Sequence, residues 1–229
     1  MIPLKDNIPS STFPVVNVSL IVINIVVFFF EVSLGRSLNS FIFHFGFVPA
    51  RFFTLLSSEH FNPVVTLLPL VTSFFLHGGW LHVGGNMLYL WIFGDNVEDV
   101  LGHLRYFFFY LLCGIGALVT HLMTNAASAV PTIGASGAIA GVMGAYFVLF
   151  PRARVITLIF IFFFIQFVEI PALYFLAFWF LLQLVSGSFS LGSSQALTGG
   201  VAFWAHVGGF VWGIIFLFLL RKGRRGRRR

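Results

Sequence analysis

Gly134-Ala135-Ser136-Gly137-Ala138-Ile139-Ala140-Gly141 opens an apolar segment that runs to Phe150, with Arg152 and Arg154 just beyond it. Read as a helix, 136–150 is about 22 Å long, against about 30 Å for a hydrocarbon core. With the arginine end at the cytoplasmic surface, Ser136 stops roughly 8 Å short of the opposite surface. A hydroxyl at a helix start inside the membrane is an odd place for a structural serine. The last apolar segment ends at Arg221, and His206 lies fifteen residues before it. It therefore also sits about 22 Å above the cytoplasmic edge. A serine and a histidine at one depth on two helices point to a nucleophile and its base.

The bulk numbers agree with a membrane setting. The chain has 229 residues, of which 59% are hydrophobic and 9% charged, and its mean hydropathy is +0.98. No soluble domain of this size hides so much apolar surface. The expected fold class is all-α: a polytopic membrane protein built as a six-helix bundle. The single cysteine, Cys113, lies in an apolar run, allows no intramolecular disulfide and reads as a small buried hydrophobe. A pI near 10.1 would fit a nucleic-acid binder. The distribution argues against one, because seven of the thirteen basic residues fall in Arg221-Lys222-Gly223-Arg224-Arg225-Gly226-Arg227-Arg228-Arg229. Directly after a span, that run reads as a cytoplasmic topology anchor in contact with anionic membrane lipids.

Three parts are expected: a cytoplasmic segment over 1–14, a membrane domain over 15–220 and a basic cytoplasmic tail over 221–229. The candidate spans are 15–34, 78–95, 104–124, 136–150, 170–186 and 201–220. The first apolar run follows Lys5 and Asp6 with no small-residue cleavage site after it, and reads as an uncleaved span. Loop 35–77 is rich in phenylalanine and broken by Pro49, Pro63 and Pro69, which places it in the outer interface. Loops 124–135 and 187–200 are small and polar. Residues 155–168 are too short as a helix, at about 21 Å, to cross comfortably. They are expected at the cytoplasmic interface or re-entrant, with Glu169-Ile170-Pro171 starting the fifth helix. Six spans then put eleven of the thirteen basic residues inside and leave Arg36 and Arg51 outside, which makes both termini cytoplasmic in a multi-pass cell (inner) membrane protein.

Further polar residues reach the depth of Ser136. His82 and Asn86 share a helix face on the second span. Both can donate to a developing oxyanion, and the backbone N–H of Ser136, free at a helix start, is a third donor. His77 lies nearer the surface and reads as support for the outer loop. No carboxylate accompanies the pair: Asp95, Glu98, Asp99 and Glu169 are at the cytoplasmic end, while Glu31 and Glu59 lack helical phasing with the site. The chemistry is therefore a Ser–His dyad. Gly137, Gly141 and Gly144 line the fourth span and Gly208, Gly209 and Gly213 the sixth, at the small-xxx-small spacing that lets two backbones approach. Such packing brings a short serine side chain to a histidine on the next helix.

These residues resemble the rhomboid family of intramembrane serine proteases. The resemblance rests on His77, His82 and Asn86 on the second span and Gly134-Ala135-Ser136-Gly137 opening the fourth. Ala205-His206-Val207-Gly208-Gly209 with Gly213 on the sixth, and Phe45-Gly46-Phe47-Val48-Pro49 in the first loop, complete it. It implies Ser136 as nucleophile, His206 as general base, and an oxyanion hole of His82, Asn86 and the Ser136 N–H. His77, Gly134, Gly137, Gly141, Gly209 and Gly213 would support that site. It implies transmembrane protein substrates cut within or beside a membrane helix, often after a small residue, with lateral entry gated by span five. It implies no cofactor and no metal. Two positions depart from the family pattern. Leu68-Pro69 stand where a Trp-Arg pair is common, and Ala140 where an aromatic often stacks on the histidine.

Three other readings compete. An inactive rhomboid-like protein would bind membrane clients without cutting them. A transporter or channel would show repeats or matched broken helices, and no repeat is visible. A zinc site of His77, His82 and His206 would lack the H-E-x-x-H arrangement that supplies a base.

Overall fold

The computed structural model describes residues 1–161, 164–190 and 201–221. In chain order it begins with β1 (Ile2–Asp6) and α1 (Val15–Ser33). Four short loop helices follow: α2 (Leu38–Phe45), α3 (Pro49–Leu56), α4 (Pro63–Leu67) and α5 (Pro69–Thr72). Then come α6 (Trp80–Leu101), α7 (His103–Thr124), α8 (Ser136–Leu149), β2 (Arg154–Ile161), β3 (Phe164–Pro171), α9 (Ala172–Ser190) and α10 (Phe203–Leu220). Among the described residues, α1, α7, α9 and α10 are each long and apolar enough to cross a membrane. The α6 helix qualifies together with the helical segment Pro63–Phe75, from which it bends by 80°. At 14 residues, α8 is short, which leaves its first residue, Ser136, inside the hydrocarbon depth. The expected loop 187–200 lies partly, and the basic tail mostly, outside the described residues.

The α6 helix continues past position 95, where the second span was expected to end, because its acidic C-terminal end finds partners in the N-terminal segment. The Glu98 carboxylate accepts the backbone N–H groups of Val16 at 3.0 Å and Asn17 at 2.7 Å. It thus caps the first turn of α1, whose orphan donors and positive dipole end favour an anion. Glu98 also meets His103 Nδ1 at 2.5 Å. Asp99 accepts the hydroxyls of Ser11 and Thr12, and Asp6 accepts Asn96 Nδ2 and the Tyr146 hydroxyl.

Residues 154–171 differ from the expectation. They form an antiparallel hairpin, and β1 adds to β2, giving a sheet of order β1-β2-β3 on an otherwise helical chain. Glu169-Ile170-Pro171 finish β3 instead of starting a helix, and α9 begins at Ala172. The β-branched and aromatic run Val155-Ile156-Thr157-Leu158-Ile159-Phe160 favours a pleated surface once a partner strand exists. Val155 and Thr157 are fully buried, whereas Phe160, Phe164, Ile165 and Phe167 are exposed, so the far half of the hairpin stands clear of the bundle. Pairing of β1 with β2 places the N-terminal segment and the α8–α9 connection on one face of the membrane. The intervening α1, α6, α7 and α8 therefore cross an even number of times.

The bundle is held by close backbone approach and by polar contacts, since apolar contact alone drives little association in lipid. A Cβ on Gly209 would collide with the Gly137 carbonyl oxygen, and one on Gly213 with the Gly141 carbonyl oxygen. This seam joins α10 to α8 along two turns. Asn17 Nδ2 donates to the Leu90 carbonyl at 3.0 Å while its Oδ1 accepts Tyr106 O–H at 2.7 Å, tying α1, α6 and α7 together. The outer loop is anchored without a Trp-Arg pair. Phe47 and Phe74 are buried with Leu118, Phe47 bridges to Thr132, and Thr72 Oγ1 donates to the Phe45 carbonyl at 2.6 Å.

Candidate functional site

Ser136 Oγ lies 2.8 Å from His206 Nε2. The serine is the first residue of α8, and the histidine lies one turn into α10. The α8–α10 glycine seam sets this distance, because the side chains of both residues are short relative to an ordinary interhelical spacing of about 8–10 Å. His206 is buried and Ser136 half-buried.

Two further groups on α9 touch the histidine, and sequence reasoning passed over both. Gln183 Oε1 lies 2.8 Å from His206 Nδ1. The Trp179 ring lies 5.9 Å from the imidazole between centroids, tilted by 34°. Trp179 thus supplies from α9 the aromatic contact that Ala140 cannot; Ala140 is fully buried and borders the glycine seam.

The candidate oxyanion donors converge on the loop before Ser136. Gly134 has φ +118°, and a Cβ there would lie 2.7 Å from His82 Nε2 and 3.6 Å from Asn86 Nδ2. Only glycine fits between those donors and keeps this backbone conformation. The Gly78 N–H donates to His82 Nδ1 at 3.3 Å, so the hydrogen-bond network assigns the ring proton to Nε2, the nitrogen that faces Gly134. Asn86 Nδ2 donates to His77 Nε2 at 2.9 Å and keeps a second hydrogen for the site. The His77 backbone N–H donates in turn to the buried Glu31 carboxylate at 3.1 Å. Glu31 therefore backs His77, which orients Asn86, and stays out of reach of the dyad histidine's Nδ1.

A cavity of about 840 Å³ is lined by Ser136, His206, His82, Asn86 and Trp179, with His121 and Asn125 at the C-terminal end of α7. Asn125 Nδ2 donates to His121 Nδ1 at 3.3 Å. No group of three or more His, Cys, Asp or Glu side chains placed to hold a metal ion occurs among the described residues. The arrangement offers a hydroxyl hydrogen-bonded to an imidazole, and N–H donors beside Gly134, two residues before that serine. Groups of these kinds can serve acyl transfer.

Comparison with known proteins agrees with the fold. The Rhomboid domain family model matches residues 65–223. The chain is 29% identical over 163 residues to "Rhomboid protein 1, mitochondrial" of Saccharomyces cerevisiae, covering 69% of this chain and 43% of that protein. It is 32% identical over 120 residues to "Presenilin-associated rhomboid-like protein, mitochondrial" of Bos taurus, covering 51% and 32%. It is 38% identical over 71 residues to "Rhomboid-like protein 11, chloroplastic" of Arabidopsis thaliana, covering 31% and 25%. In each case it spans less than half the length of the relative. With a matching domain over most of its length and a bundle of membrane-crossing helices, the chain belongs to the rhomboid family.

Proposed function

We propose that this chain is an intramembrane serine endopeptidase that hydrolyses peptide bonds within or beside transmembrane segments of membrane-protein substrates. The carrying observation is the 2.8 Å contact between Ser136 Oγ and His206 Nε2, inside a cavity that also holds oxyanion donors. Ser136 Oγ attacks the scissile carbonyl carbon while its proton moves to His206 Nε2. The oxyanion accepts from the Ser136 N–H, His82 Nε2–H and Asn86 Nδ2–H. The imidazolium then returns the proton to the leaving amine as the C–N bond breaks. A water molecule, deprotonated by His206, hydrolyses the acyl-enzyme and regenerates the serine. A client-binding relative without activity has no need for this contact.

The three-part division belongs to the same proposal: an inner-side segment over 1–14, the proteolytic membrane domain over 15–220 and a basic inner-side tail over 221–229. Lipids surround the domain, and its protein partners are helical membrane substrates. Both ends lie on the cytoplasmic face in a cell membrane, and the relatives' names specify mitochondria and chloroplasts. The test is cleavage of a single-span substrate by purified protein, with fluorophosphonate labelling. Wild type is expected to cleave and label, and Ser136→Ala and His206→Ala to do neither while remaining folded. Undiminished cleavage by Ser136→Ala overturns the assignment.

A further inference from the structure

Gln183 occupies the position beside the base where a triad places a carboxylate. Gln183 Oε1 is 2.8 Å from His206 Nδ1, and Gln183 Nε2 donates to the Trp179 carbonyl, one turn earlier on α9, at 3.4 Å. The second bond fixes the amide orientation. Flipping it would set the amide oxygen against the Trp179 carbonyl oxygen, two acceptors facing each other. With Oε1 toward the imidazole, His206 Nδ1 must be the protonated nitrogen. The lone pair on Nε2 then points at Ser136 Oγ, 2.8 Å away, ready to accept its proton.

We infer that Gln183 is the positioning residue of the base: a neutral amide that fixes the His206 tautomer and ring plane, with Trp179 closing the ring's face. The inference rests on the protease reading for its kinetic consequences and on the hydrogen-bond geometry alone for the tautomer. Chemistry explains an amide here. A carboxylate at this depth is a charge in a low-dielectric setting and is costly. An amide supplies the acceptor without that charge. Both contacts come from α9, the least buried of the four long apolar helices. Seating of α9 against α10 and orientation of the base are thus one event.

Three variants of the full-length protein in detergent test this, each checked for folding by thermal unfolding. Gln183→Leu removes the acceptor at similar volume. Gln183→Glu restores an acceptor in either protonation state. Gln183→Asn shortens the reach and covers the case in which Gln183→Leu fails to fold. Kinetics on a single-span substrate and ¹⁵N NMR of labelled histidine are measured on each, with the His206 signals assigned by difference from His206→Ala. For Gln183→Leu or Gln183→Asn we expect kcat to fall by about 10- to 100-fold with KM unchanged. The His206 signal should shift from the Nδ1–H tautomer to a mixture. Gln183→Glu should recover both. A folded variant lacking the acceptor that keeps wild-type kcat and the Nδ1–H tautomer overturns the inference. If wild type neither cleaves nor labels yet loses the tautomer on Gln183→Leu, the protease reading fails and the positioning role stands.

Discussion

Gly209 on α10 lies so close to the Gly137 carbonyl of α8 that no Cβ fits between them. The proposed nucleophile, Ser136, is the residue before Gly137, and the proposed base, His206, lies three residues before Gly209. The seam that joins the two helices therefore also sets the distance between Ser136 and His206.

Gly209→Ala should accordingly act on activity before it acts on fold. Overpacking a tight contact costs about 1–3 kcal/mol, and here the obstacle is backbone that cannot rotate aside. We expect a lowered melting temperature and a larger proportional loss of kcat, because a separation near 1 Å too great breaks the serine–imidazole hydrogen bond. Gly84→Ala is the control, since nothing lies within 4 Å of a Cβ there. Equal effects of the two substitutions would remove the seam from the account.

The oxyanion donors should separate from the dyad in kinetics. Loss of one dedicated donor costs about 10²–10³ in kcat, and here three donors share the charge. Asn86→Ala is expected to lower kcat without abolishing it, and His82→Ala to cost more, with little change in KM for either. His77→Ala should reproduce part of the Asn86 effect, because His77 Nε2 fixes the Asn86 amide at 2.9 Å. A stability loss with unchanged kcat in the folded fraction would take Asn86 off the catalytic list.

Asp6 should make acid stabilising within a defined window. Burial holds its carboxyl above the ordinary 3.8, outweighing the bond from Tyr146 that favours the anion. The folded chain then binds this proton more readily than the unfolded chain. Stability from this site is fullest below 3.8 and declines as pH rises through the folded value. Asp6→Asn keeps an oxygen for Asn96 and Tyr146 and removes the charge. Its melting temperature should exceed that of wild type at pH 7, and the difference should vanish in acid. A lower melting temperature at pH 7 would show that the hydrogen bonds to the anion outweigh burial.

The sheet makes a topological prediction that does not depend on charge counts. On a Cys113→Ala background, Asn7→Cys and Gln166→Cys should label from one side of a sealed membrane and Ser128→Cys from the other. Labelling of positions 7 and 166 from opposite sides would refute the pairing of β1 with β2.

The depth of Ser136, His206, His82 and Asn86 was legible from residue counts, because a helix converts sequence distance to depth at a fixed rise. Gln183 was legible by the same rule. It lies eleven residues beyond Ala172, about 17 Å from the N-terminal end of α9. An amide can serve the nitrogen that a triad gives to a carboxylate, and a glutamine within an apolar helix does not stand out as an acid would. Trp179 could not be found this way, since its ring contact with His206 depends on the rotation of α9. The strands at 154–171 escaped for a different reason. A strand is stabilised by its partner, and β1 lies about 150 residues earlier, with Ile2 opposite Leu158. The role of Glu98 as a cap on α1 is equally non-local.

That long reach gives the sheet a place in biosynthesis. The strand β1 is made before α1, yet its partner emerges only after α8. Until then Ile2–Asp6 has an open edge, and Asp6 lacks its Tyr146 partner. Closure of β1 on β2 can occur only when four helices have been threaded so that the chain returns to its starting face. A nascent chain that missed one of these crossings would leave β1 unpaired, on the face opposite the β2–β3 hairpin. The β1–β2 pairing is therefore a latch that can shut only on chains whose first helices return to the starting face, and both of its strands are made before α9 and α10.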